Sequence, residues 1–141
     1  IIMTPTDIKN INLSKHTVLA VDDIPMNLLL ISKILSRLNI TINTAANGRE
    51  ALDFISKNKP SLVLLDLMMP EIDGYEVLKR LRENPETKDL RVVILSALNS
   101  NEDIVKGFNM GANDFITKPI ILEKLTSCVI TQLQLVELSE K

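Results

Sequence analysis

The sequence has no tryptophan, one tyrosine and three phenylalanines, so aromatic residues make up 3% of its 141 positions. Any core must therefore be aliphatic. There is a single cysteine, Cys128, which excludes an intramolecular disulfide and suits a reducing, cytoplasmic setting. There is no basic surplus: the formal net charge is −2, which argues against nucleic acid as a direct partner. No apolar run approaches the ~20 residues of a membrane span, so no membrane contact is expected of this segment. The opening Ile1-Ile2-Met3-Thr4-Pro5 lacks the basic-then-apolar layout of a signal peptide.

What is present is a balance of 45% hydrophobic and 24% charged residues, the composition of a globular protein. The length fits one domain with a real core. Residues 1–16 show no steady period and are expected to be a tail. From Thr17 two kinds of segment alternate. Val18-Leu19-Ala20-Val21, Ile40-Thr41-Ile42-Asn43-Thr44-Ala45, Leu62-Val63-Leu64-Leu65, Val92-Val93-Ile94-Leu95 and Asp114-Phe115-Ile116-Thr117 read as strands. Continuous apolar runs of this length suit a parallel sheet covered on both faces. Between them lie helical patterns over residues 25–38, 49–57, 75–82, 102–110 and 121–138. The pattern over 102–110 carries Ile104, Val105 and Phe108, and Gly111 can close it in the left-handed conformation. Strict alternation predicts a doubly wound α/β fold. Ligands of such folds sit beyond the carboxyl ends of the strands.

The residues at those ends are unusual. The first run stops at Asp22-Asp23, the third at Asp66, the fourth at Ser96-Ala97 and the fifth at Lys118-Pro119. In a parallel sheet these ends share one edge, so three carboxylates, a hydroxyl and an ammonium converge. Clustered carboxylates stay ionised cheaply only around a cation. A hard ion such as Mg²⁺ fits, because it favours few protein ligands together with water and phosphate oxygens. Lys118 would neutralise one phosphoryl oxygen and Ser96 would donate a hydrogen bond to another. One carboxylate remains to attack phosphorus and form an aspartyl phosphate.

Four segments together carry a resemblance: Val21-Asp22-Asp23, then Leu65-Asp66-Leu67-Met68-Met69-Pro70 with Asp73-Gly74, then Leu95-Ser96-Ala97, then Gly111-Ala112-Asn113-Asp114-Phe115-Ile116-Thr117-Lys118-Pro119. The sequence resembles the receiver domain of two-component response regulators over about residues 17–130. The resemblance implies a flavodoxin-like five-stranded parallel sheet of order 2-1-3-4-5. It makes Asp66 the phospho-acceptor. It makes Asp23, Asp66 and the backbone carbonyl of Met68 direct Mg²⁺ ligands, with Asp22 acting through water. Lys118 would contact the phosphoryl group, Ser96 would move toward it, and Phe115 occupies the aromatic switch position. The Lys118-Pro119 bond is expected to be cis. Ser96 stands where Thr is frequent, and Phe115 where Tyr is frequent, so Phe115 can pack but cannot hydrogen-bond through a hydroxyl. The partner implied is a sensor histidine kinase or a phosphotransfer protein. The domain would promote only its own phosphorylation and dephosphorylation rather than act as an enzyme. Met68 and Leu98 lie two residues past Asp66 and Ser96, at positions that border the path of attacking water in the family. Both are apolar, which implies slow self-hydrolysis.

Milder readings exist for several residues. Asp22-Asp23 alone would be read as a helix cap, Ser96 as a turn hydroxyl, Lys118 as a surface lysine and Phe115 as core. Their joint occurrence favours the site. His16 lies outside the pattern and reads as a surface residue. Cys128 falls in a helical pattern and reads as buried and inert. Glu83, Glu86 and Asp89 read as solvated. In the last helical pattern Leu125, Val129, Leu133 and Val136 form an apolar stripe. Residues 131–141 are thus an extension that links to an output domain, pairs with a second copy, or packs on its own domain. A homodimer or docking face is expected on the fourth helix, fifth strand and fifth helix. A haloacid-dehalogenase-like phosphohydrolase would need Asp where Met68 stands. A flavodoxin-like cofactor binder would need a Gly/Ser/Thr-rich turn where Asp22-Asp23-Ile24-Pro25 stands. The remaining alternative is a docking module that is never phosphorylated.

Overall fold

A computed structural model of the chain describes residues 13–140. The tail expected over residues 1–16 falls mostly on residues 1–12, which lie outside the described residues. Leu13–Lys15 forms a short 3-10 helix. After it come β1 (Thr17–Val21), α1 (Pro25–Ser36), β2 (Thr41–Ala45), α2 (Gly48–Lys57), β3 (Leu62–Leu65), α3 (Gly74–Glu83), β4 (Arg91–Ser96), α4 (Asn101–Asn109), β5 (Asp114–Thr117) and α5 (Leu122–Ser139). The strands form one sheet of order β2-β1-β3-β4-β5. Every pairing in it is parallel.

The strand sequences explain the layering. Successive side chains in a strand point to opposite faces. Leu19, Val21, Val63, Leu65, Val92 and Ile94 enter a core with Ala51 and Ile55 of α2 and Val77, Leu78 and Leu81 of α3. Their neighbours Val18, Ala20, Leu62, Leu64, Val93 and Leu95 enter a second core with Ile31, Ile34 and Leu35 of α1 and Leu125, Val129 and Leu133 of α5. Both faces are covered, so the runs are apolar without alternation. Side chains cap three helices: Asn47, Asp73 and Ser100 accept from the backbone N–H of Glu50, Glu76 and Asp103. In contrast, α1 begins at Pro25 with no side-chain cap.

Packing bears on three of these readings, and it overturns that of His16. The stripe Leu125, Val129, Leu133 is buried in the domain's own core and is not a free seam for a second copy. His16 is not a surface residue: it is 2% exposed, with Nδ1 2.9 Å from Ser61 Oγ and Nε2 2.9 Å from Glu137 Oε1. It ties the start of β1 to the end of α5, a contact between residues distant in sequence that no local pattern reveals. On α4, Val105 and Phe108 are exposed. The residue facing the sheet is Gly107, where an added Cβ would lie 2.9 Å from Ile94 Cδ1 and 3.1 Å from Phe115 Cδ2. Its missing side chain lets α4 sit close, and that rotation turns Val105 and Phe108 outward.

Two features close the α4–β5 corner. Gly111 has φ +104°, the left-handed conformation expected of it. Its carbonyl accepts from Arg82 Nε at 3.0 Å and Nη2 at 2.8 Å, while Nη1 donates to the carbonyl of Leu90 at 2.6 Å. Burial pushes the Arg82 guanidinium below its ordinary value. The Lys118-Pro119 bond is cis.

Candidate functional site

The sheet ladder continues one step past the strands and fixes the site's backbone. Asp22 N donates to the Ala45 carbonyl at 3.1 Å, Asp66 N to Val21 at 3.0 Å, and Lys118 N to Ser96 at 2.8 Å. Three site residues are thus held by the last carbonyl of a neighbouring strand.

Asp22, Asp23 and Asp66 each offer a carboxylate oxygen, and these atoms all lie within 4.8 Å of one another. Asp22 and Asp66 are buried, whereas Asp23 is exposed. Lys118 Nζ lies 2.8 Å from Asp22 Oδ2 and 3.7 Å from Asp66 Oδ2. One ammonium therefore faces three carboxylates, and negative charge is in excess. Asp22 is well supplied with donors. Its Oδ1 accepts from Ile24 N at 2.9 Å, and its Oδ2 accepts from both Lys118 Nζ and, at 3.2 Å, Asn27 Nδ2. Asp66 has fewer: among the described residues it meets, besides Lys118, only the Met68 N–H, at 3.4 Å. Burial raises its pKa above the ordinary carboxylate value. Lys118 and the Met68 N–H act against this rise, while Asp22 and Asp23 add to it. A buried carboxylate with its charge poorly compensated, beside two others, is the donor set that a hard oxygen-seeking cation completes.

Ser96 is fully buried at the same edge, and its Oγ accepts from Leu98 N at 3.2 Å. Met68 directs its backbone N–H at Asp66, while its side chain is exposed. Phe115 lies partly buried on β5 against Gly107 of α4. Asp22, Asp23, Asp66 and Lys118 thus form one cluster, Ser96 shares its edge, and Phe115 sits between the sheet and α4. Cys128 is half-buried, its Sγ 3.5 Å from Asp114 Oδ2, and burial and Asp114 push its thiol up to about 12, in keeping with an inert residue.

Two residues escape the sequence pattern. Asn27 reaches Asp22 from the first turn of α1. Gly74 is more than a turn signal, because an added Cβ there would lie 2.7 Å from Leu67 Cα and closer still to the Asp66 carbonyl oxygen. The Gly after Asp73 was the visible signal for this close approach. For Asn27 the only signal was its position five residues after Asp22.

A family model described as the response regulator receiver domain matches residues 18–130. The chain is 39% identical over 123 residues to a Vibrio cholerae protein named "probable cyclic di-GMP phosphodiesterase", covering 87% of this chain and 28% of that protein. It is 39% identical over 103 residues to the response regulator PleD of Caulobacter vibrioides, covering 73% of this chain and 23% of PleD. The chain therefore spans about a quarter of the length of these two curated relatives. Among solved structures, the receiver domain of a signal transduction histidine kinase from Syntrophus aciditrophicus matches with TM-score 0.78 and 35% identity, over 84% of this chain and 89% of that one. The chemotaxis protein CheY4 of Vibrio cholerae matches with TM-score 0.76 and 31% identity, over 81% of this chain and 95% of that one.

Proposed function

Because the chain belongs to the response regulator receiver domain family, we propose that it accepts a phosphoryl group on Asp66, with Mg²⁺, from a partner histidine kinase or phosphotransfer protein. The observation that carries this reading is the trio Asp22, Asp23, Asp66, with ligand atoms within 4.8 Å, beside Lys118.

Phosphoryl transfer needs positioning and charge neutralisation more than covalent assistance. An Asp66 oxygen forms the new bond to phosphorus as the donor's bond to phosphorus breaks. The electron pair of the broken bond leaves with the donor, which takes up a proton. Lys118 lies 3.7 Å from Asp66, within reach of an oxygen on the incoming group. Ser96 turns its hydroxyl from Leu98 N toward another. Asp23, Asp66 and the Met68 carbonyl would hold Mg²⁺, with Asp22 acting through water. When bound, the ion neutralises phosphoryl oxygens and the excess charge of the acids. Apolar Met68 and Leu98 slow the water that would hydrolyse the product, so Met68→Asn shortens the lifetime of the phosphorylated form.

The output surface is the face of α4, β5 and α5, where Val105, Phe108, Ile121 and Leu122 are exposed. Phe115 links it to the sheet by packing rather than through a hydroxyl. That face pairs with a second copy or with an output domain. The protein catalyses only its own modification, acts in the cytoplasm and binds no nucleic acid through this segment. Among the described residues, no helix is long and apolar enough to cross a membrane.

The test is intact-mass spectrometry after incubation with Mg²⁺ and acetyl phosphate, beside Asp66→Asn. The expected result is one added phosphoryl mass in the native chain alone. An unchanged mass in a native chain that binds Mg²⁺ would instead identify a docking module.

A further inference from the structure

We infer that Asn27 is a positioning residue for the acidic site, acting through Asp22; this rests on the phosphoryl-accepting reading above. Asp22 is 1% exposed, so its charge depends on the bonds it receives. Ile24 N fills one oxygen. The other, Oδ2, is shared by Lys118 Nζ at 2.8 Å and Asn27 Nδ2 at 3.2 Å. A carboxylate only accepts, so the amide must present its nitrogen, and its orientation is fixed.

The sharing has a consequence for the acceptor. Lys118 is the cation between Asp22 and Asp66, and it sits nearer Asp22. Asn27 satisfies part of the demand of Asp22 without adding a second cation, and it holds Oδ2 on the side that faces Lys118. Without that bond the Asp22 Oδ2 leans on Lys118 for its charge, while Ile24 N still holds Oδ1, and it draws Lys118 further from Asp66. The grouping of the three acids then loosens. A Lys or Arg at this position would displace Lys118 from Asp22, and an Asp would repel Asp22. An uncharged donor serves both requirements. A purely structural role would be to brace the uncapped start of α1, which carries no side-chain cap of its own.

The experiment measures Mg²⁺ binding by titration calorimetry for the native chain, Asn27→Ala and Asn27→Gln, with thermal unfolding and the acetyl phosphate reaction in parallel. Alanine is the strongest helix former, so α1 is retained. Loss of an outer partner of a metal site weakens affinity by about 10-fold at the low end, the end that applies to Asn27 because Asp22 itself acts through water. That increase in the Mg²⁺ Kd is expected for Asn27→Ala, and the phosphorylation rate at saturating Mg²⁺ should fall as well, because Lys118 is drawn away from Asp66. Asn27→Gln, still a donor, is expected to recover most of the affinity. An Asn27→Ala chain that binds Mg²⁺ as tightly as native while unfolding at lower temperature would overturn the inference, leaving Asn27 as a helix brace. Equal weakening in Asn27→Gln would overturn it too, since the donor would then be irrelevant. A native chain that binds no Mg²⁺ would defeat the underlying reading itself, and this inference with it.

Discussion

Gly74→Ala sets two effects of opposite sign against each other. On backbone grounds the change stabilises, by about 0.4–1 kcal/mol, because alanine restricts the unfolded chain. Gly74 opens α3, where alanine is also the better helix former. Packing says the reverse. The new methyl group would stand 2.7 Å from Leu67 Cα and closer to the Asp66 carbonyl oxygen, where ordinary contact begins at 3.4 Å. Both neighbours are backbone, so neither can rotate away; the gap to Leu67 Cα must open by about 0.7 Å, and the gap to the Asp66 oxygen by more. Overpacking of this kind costs about 1–3 kcal/mol, which leaves a net loss of up to about 2.5 kcal/mol after the gain, so Tm should fall by as much as about 10 °C. The displaced backbone carries Asp66, the proposed acceptor, and a misplacement of about 1 Å can cost on the order of 100-fold in rate. Thermal unfolding followed by circular dichroism gives the first quantity, and the acetyl phosphate reaction at saturating Mg²⁺ the second. A Gly74→Ala chain that melts at or above the native temperature would refute the steric argument.

Three further outcomes follow from the packing and the charges. Asp66→Asn should raise Tm in metal-free buffer near neutral pH. The raised pKa of Asp66 means its charged form opposes folding above that pKa, so the gain should vanish as acid protonates the native residue; a gain that persists in acid would point to a different cause. Leu133→Ala should destabilise by about 2–5 kcal/mol in denaturant titration, because the side chain is fully buried; a negligible loss would mean that this end of α5 does not pack on the domain. His16→Ala should cost about 1–3 kcal/mol, since it removes both bonds of a buried ring, and the loss should shrink in a Glu137→Gln background; independent effects would deny the bond between them.

Much of this architecture could be read from the chain because parallel strands advertise themselves. The runs Leu62 to Leu65 and Val92 to Leu95 are apolar at every position, and each ends where a site residue begins. Topology alone then gathers Asp22, Asp66, Ser96 and Lys118 at one edge. What could not be read depends on rotation and on distant partners. The helical period of α4 is satisfied on paper by Val105 and Phe108, but close approach at Gly107 sets its actual orientation. His16 meets its partners 45 and 121 residues away. Arg82, which gathers carbonyls from Leu90 and Gly111, looks in sequence like any exposed helical arginine.

The glycine on the inner side of α4 also bears on how the domain can change shape. Knob-like side chains on α1, α3 and α5 interlock with the sheet, and shifting those helices would mean withdrawing leucines from fitted holes. At Gly107, by contrast, α4 rests on Ile94 and Phe115 without a knob of its own. It is seated as on a smooth bearing, and a small slide or roll there disturbs little buried volume. The helix that turns Val105 and Phe108 outward thus carries a glycine, and no side chain, at the point where it rests on Ile94 and Phe115.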